Sequence, residues 1–148
     1  MIQVSISNRQ QSVKLSGARL KRRARHILLE MGFVKAELSL AFVDDGEMRL
    51  LNGTYRRRKE PTDVLAFAMN EGRFGNINPH VLGDVVISTE TAAFQAKTSG
   101  RPLHDELDAL LVHGILHLIG YDHERSPADA RIMRSKERTL LTALGARA

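Results

Sequence analysis

The segment L-D-A-L-L-V-H-G-I-L-H-L-I-G-Y-D-H, Leu107 to His123, is the one around which the rest of the chain must be arranged. As far as Ile119 its only strongly polar side chains are Asp108, His113 and His117. A helix that is apolar nearly all round is a buried helix, and buried imidazoles need polar partners. His113 and His117 are four residues apart, which sets them on one helix face with Cβ atoms roughly 6 Å apart. Two imidazoles so placed can reach one metal ion at about 2.0–2.1 Å per bond. Gly120 then offers a helix stop, because a residue without Cβ takes positive φ at little cost. His123, just past that turn, can close the site as a third ligand. Three neutral imidazoles leave a fourth position open to water, as in a catalytic rather than a closed structural zinc site. The other histidines stand apart. His104 falls on the opposite face of the same helix, and His26 and His80 lie in basic or loop contexts that suit solvated side chains.

At 148 residues the chain has the size of one ordinary domain, here residues 1–148. It has no cysteine, so any metal must use nitrogen and oxygen ligands. The start, M-I-Q-V-S-I-S-N-R-Q, has no charged segment followed by an apolar run, and nothing approaches the ~18 apolar residues of a membrane span. These features suit a soluble cytoplasmic protein. A net charge of +5 and a pI near 10.0 favour a polyanionic partner. The cations concentrate in two runs. Lys21 to His26 (K-R-R-A-R-H) falls on an expected helix, either as a solvated face or as a polyanion contact. Arg56 to Lys59 (R-R-R-K) lies at a helix end or loop before P-T-D. Four adjacent cations repel one another and settle where an anion relieves them, so this run is read as a nucleic-acid contact. Aromatic residues are few, which points to phosphate contacts rather than a base-stacking platform.

Alternation of apolar residues predicts strands over Gln3–Ser7, Glu37–Val43, Val64–Ala68 and Gly83–Ser88. Helices are expected from Ser16 to a stop at Gly32, from Asp44 and Asp45 through Leu51, and from Ser88 to Thr98. A fourth starts at Pro102 and carries the histidines. The last opens at Ser126-Pro127 and stops at Gly145. Strands and helices mix without strict βαβ alternation, so the fold class is α+β: a small mixed sheet of about four strands packed with helices. Strand order cannot be taken from this pattern.

His-x-x-x-His-x-x-Gly-x-x-His is also the ligand spacing of metzincin peptidases, which place a Glu general base directly after the first histidine. Gly114 stands there instead, and glycine cannot move a proton to a departing amine. A phosphodiester is less demanding. Water on a metal ion can act near neutral pH, and an arginine can stabilise developing phosphorane charge.

Four segments together resemble the YbeY-type bacterial endoribonucleases: L-N-G-T-Y-R (Leu51–Arg56), P-T-D-V-L-A-F (Pro61–Phe67), L-G-D-V-V-I-S (Leu82–Ser88) and H-G-I-L-H-L-I-G-Y-D-H (His113–His123). The resemblance implies a metal-dependent endoribonuclease that prefers single strands and acts in ribosomal RNA maturation, notably at the 16S 3′ end, and in ribosome quality control. It implies zinc held by His113, His117 and His123, an α+β fold, and an arginine needed for activity, here Arg56. Arg56 and His113 are thus the catalytic candidates. Ala66 replaces the family's usual Ser. Two other readings stand beside this one: a metallopeptidase with a carboxylate supplied from elsewhere, and a non-enzymatic ribosome or RNA-binding factor in which the metal only fixes the fold. Thr62 and Asp63 are either groups of the site or a turn that aims the following strand. Asp84 is read as a backbone anchor at a strand start. Asp122 either orients an imidazole or shapes a turn, and Glu60 and Glu124 receive no role.

Overall fold

In a computed structural model, which describes residues 1–56, 62–69 and 80–146, the chain runs β1 (Ile2–Asn8), α1 (Gly17–Glu30), β2 (Ala36–Val43), α2 (Asp45–Arg56), β3 (Val64–Ala68), β4 (Val81–Ser88), α3 (Thr89–Ser99), α4 (Leu103–Leu118) and α5 (Pro127–Ala146). Helix starts follow side-chain chemistry. The oxygens of Ser16, Asp44, Ser88 and Ser126 accept the free N–H groups of Arg19, Glu47, Thr91 and Asp129, as N-caps do. Pro102 sits one residue before α4, with extended backbone. The last helix, Pro127–Ala146, passes through Gly145, where a stop was expected. Among the described residues no helix is long and apolar enough to cross a membrane.

The sheet is mixed, in the order β1-β2-β4-β3; β1, β2 and β4 are parallel and β3 is antiparallel to β4. Its class and strand number are those expected from the sequence. Side chains alternate across the pleat. Leu38, Leu40, Phe42, Val85 and Ile87 enter the main core with α1, α4 and α5. Val43, Leu65 and Val86 face the other way and are covered by Met48 of α2. The buried stripe of α4, with Leu111, Val112, Ile115 and Leu116, fills the centre of the main core.

The strand expected to open at Gly83 begins two residues earlier, at Val81. Gly83 is instead the bulge at which the β2–β4 register slips, from Glu37↔Val81 to Leu38↔Gly83. Its φ is 133°, and a Cβ there would stand 2.1 Å from the carbonyl oxygen of Phe67. Only glycine lets β3 lie this close. Asp84 is accordingly inside the strand, on the face away from α4, and does not enter the cleft described below.

Two expectations about charge also change. Arg19 and Arg23 point inward to Asp108 of α4, at 2.8 and 3.9 Å, and Arg23 donates to the Leu144 carbonyl as well. The run from Lys21 to His26 is therefore divided: Arg23 fastens α1 to α4 and α5, while Lys21, Arg22 and Arg25 are solvated. The His26 side chain, expected in solvent, is only 14% exposed and sits 3.5 Å from Glu30.

Candidate metal centre

Helix α4 reaches the sheet through Gly114. A Cβ at that position would lie 2.6 Å from Cγ1 of Val85 and 3.0 Å from Cγ2 of Val64. The missing side chain lets α4 lie directly on β3 and β4 and sets the flanking histidines at the wall of a cleft. This is a packing reason for glycine where a peptidase would carry its Glu, and it weighs against that reading independently of the proton argument. Gly114→Ala is expected to destabilise the fold by about 1–3 kcal/mol through overpacking. A shift of the urea midpoint at unchanged m-value would show it; an unmoved midpoint would mean the valines yield freely.

The chain then reverses in a Schellman-type cap. Gly120, at φ 112°, donates to the His117 carbonyl at 3.1 Å, and Tyr121 donates to that of Leu116 at 3.0 Å. Asp122 Oδ1 accepts the Glu124 N–H at 2.8 Å, and this bond holds its carboxyl below the usual carboxylate range. Arg125 ties the same turn to the Gly120 carbonyl and to Asp122. Of its two possible roles, Asp122 takes the turn, and that turn delivers His123 to the other two imidazoles.

The three rings face one another with centroids 4.7, 5.0 and 5.2 Å apart. One nitrogen from each of His113, His117 and His123 lies within 4.8 Å of the others, so the cluster can hold a metal ion. His117 Nε2 and His123 Nδ1 are 3.1 Å apart, close to the roughly 3.3 Å between two nitrogens bound at 2.0–2.1 Å to one tetrahedral ion. The donor set fits zinc chemistry. Burial first, then the neighbouring imidazoles of His113 and His123, lower the pKa of His117, which favours the neutral form a metal requires. Although α4 is buried as expected, its two histidines are only half-buried, because they open onto the cleft.

That cleft measures about 680 Å³ and is lined by β3, α4 and the turn, with Asn52, Thr62, Asp63 and Tyr121 at its walls. Asp63 accepts from Gln95 at 3.4 Å, and its carbonyl accepts the Ser88 N–H at 2.9 Å. It thus fastens the start of β3 as well as lining the cleft. Glu124 is exposed, 3.8 Å from His123. Arg56 is the last residue of α2, one turn beyond Asn52, which is buried at the cleft wall. The side chain of Arg56, and Arg57, Arg58, Lys59 and Glu60 entirely, lie outside the described residues.

Two groups were not singled out from the sequence. Asn52 sits inside a quoted motif, but a lone amide carries no spacing signal. Glu137 of α5 makes a 2.8 Å hydrogen bond from Oε2 to Nδ1 of His113. A signal for it existed: Met133, Leu140 and Leu144 form the buried stripe of α5, and Glu137 interrupts that stripe with a charge.

Comparison with known proteins agrees with this geometry. The family described as Endoribonuclease YbeY matches residues 5–145. Three curated proteins of that name are similar along most of their length. That of Geobacter metallireducens is 44% identical over 144 residues, covering 97% of this chain and 96% of the relative. That of Syntrophus aciditrophicus is 41% identical over 138 residues, covering 93% and 86%. That of Aquifex aeolicus is 43% identical over 131 residues, covering 88% and 85%. The solution structure of TM1509 from Thermotoga maritima shares the fold, with a TM-score of 0.61 at 23% identity over 95% of this chain and 87% of that one.

Proposed function

The chain belongs to the YbeY endoribonuclease family, and from that premise we propose that residues 1–148 form one zinc-dependent domain that cuts single-stranded RNA. Its substrate would be ribosomal RNA, at the 3′ end of 16S rRNA, in cytoplasmic ribosome maturation and quality control. The observation that carries this reading is the group of three histidine nitrogens within 4.8 Å on the wall of an open cleft. Gly114, in the place of a peptidase base, favours a phosphodiester over a peptide.

In the proposed mechanism His113, His117 and His123 hold the ion. A divalent ion so held supplies Lewis-acid activation of water and of a phosphoryl oxygen. Arg56 stabilises charge that develops on the phosphoryl oxygens, as a guanidinium fork does. Arg57, Arg58 and Lys59 contribute phosphate contacts to binding. Strand β3, which lines the cleft, is held by Asp63 at its start and by its close approach to Gly83.

The test is incubation of zinc-loaded protein with single-stranded RNA carrying the 16S 3′ end, with duplex RNA and with casein, each with a chelator control. Cleavage is expected for the single strand alone and is expected to stop with chelator. Casein hydrolysis, or RNA cleavage indifferent to chelator, would refute the reading.

A further inference from the structure

We propose that Glu137 is a positioning residue of the metal centre, holding His113 as the Nδ1–H tautomer so that Nε2 is the nitrogen offered to the ion. The inference rests on the three-histidine metal reading above and deepens it. The contact is 2.8 Å between Oε2 and Nδ1. A carboxylate accepts and does not donate, so Nδ1 must carry the hydrogen. A neutral imidazole has only one N–H, which leaves the lone pair on Nε2.

Placement on α5 argues that the contact serves more than packing. Met133, Leu140 and Leu144 are buried along one face of that helix. Glu137 follows Met133 by four residues and precedes Leu140 by three, so it occupies the same stripe. An apolar residue there would continue the core without desolvating a charge. Instead, a carboxylate with 24% of its side chain exposed meets an imidazole with 28% exposed, partly shielded from the screening that weakens surface pairs. His117 and His123 have no comparable carboxylate contact within hydrogen-bond distance among the described residues; their nearest ring nitrogens face each other. His113 is therefore the ring whose orientation the protein sets from outside the cluster. An outer carboxylate of this kind fixes the ring and raises ligand basicity. Helix α5, which contributes no ligand, thereby becomes part of the metal site.

The experiment uses the full chain with Glu137→Ala and Glu137→Gln. Zinc affinity is measured by competition with a chromophoric chelator. The tautomer of His113 is read from long-range 15N–1H ring correlations of metal-free protein at about pH 8, above the ordinary imidazole pKa. The zinc dissociation constant is expected to rise about 10–100-fold for the alanine variant. The rise should be smaller for glutamine, whose oxygen still accepts but carries no charge. The parent should show His113 as the Nδ1–H form and the alanine variant a mixture, with glutamine, whose amide can accept at Oε1 or donate from Nε2, between the two. If alanine unfolds the chain, the glutamine variant decides by the same two readings. Parental zinc affinity and an unchanged tautomer in the variants, with only a lower melting temperature, would make Glu137 a clasp between α4 and α5 and overturn the proposal. A parent chain that takes up no zinc would instead sink the three-histidine reading, and this inference with it.

Discussion

His117→Ala is expected to leave the chain folded but without zinc, and so without RNA cleavage. His117 forms one corner of a triangle of imidazoles, with ring centroids 4.7 and 5.0 Å from those of His113 and His123. Removing it leaves two nitrogens and a gap on the cleft wall. The affinity loss should exceed the roughly 10–100-fold typical of an outer-sphere partner, because a bond to the ion itself is lost. The fold should survive, since the ring is half-buried at the cleft and lies outside the apolar clusters. Metal analysis after dialysis, with far-UV circular dichroism on the same sample, checks both halves. Zinc content equal to the parent's would remove the three-histidine assignment.

The metal helix was legible because its signals are local. A four-residue histidine spacing, an apolar surround and a glycine stop each act within a turn or two of chain, and Gly120 and Tyr121 close α4 by bonds to the His117 and Leu116 carbonyls. Strand order was not legible, because pairing joins residues far apart; β4 lies between β2 and β3, and no pattern within one strand specifies that. Gly83 shows the same limit at one residue. A glycine at the edge of an apolar run can start a strand or form a bulge, and the difference here is the Phe67 carbonyl on another strand. His26 was misjudged for a related reason. Its neighbours in sequence are basic, but it lies on the flank of α1 shared with Arg23 and Glu30, beside the buried face of Leu20, Ala24, Ile27 and Leu28 rather than on the solvated one. Glu137 was within reach of sequence reasoning, because a charge in the apolar stripe of a helix asks for a buried partner. The identity of that partner required the packing of α5 on α4.

Substituting lysine for Arg56 is expected to depress single-turnover cleavage about 10²–10³-fold, the usual cost of losing one transition-state donor, while leaving RNA affinity nearly unchanged. The reasoning separates charge from geometry. Lysine keeps the positive charge but presents a point cation, whereas the guanidinium fork can engage two phosphoryl oxygens at once. An interaction made only as charge develops lowers the rate when lost and barely alters ground-state binding. Arg56 closes α2 one turn after Asn52, which lines the cleft. Arg58→Lys is the comparison. It sits in the same cationic run but carries no proposed catalytic role, and it should lose little in rate or affinity because a lysine still meets a phosphate. Zinc content must match across parent and both variants, so that a metal defect is not read as a catalytic one. Similar modest losses in both variants would make Arg56 one more phosphate contact, and the charge-stabilising group would then have to come from elsewhere in the cleft.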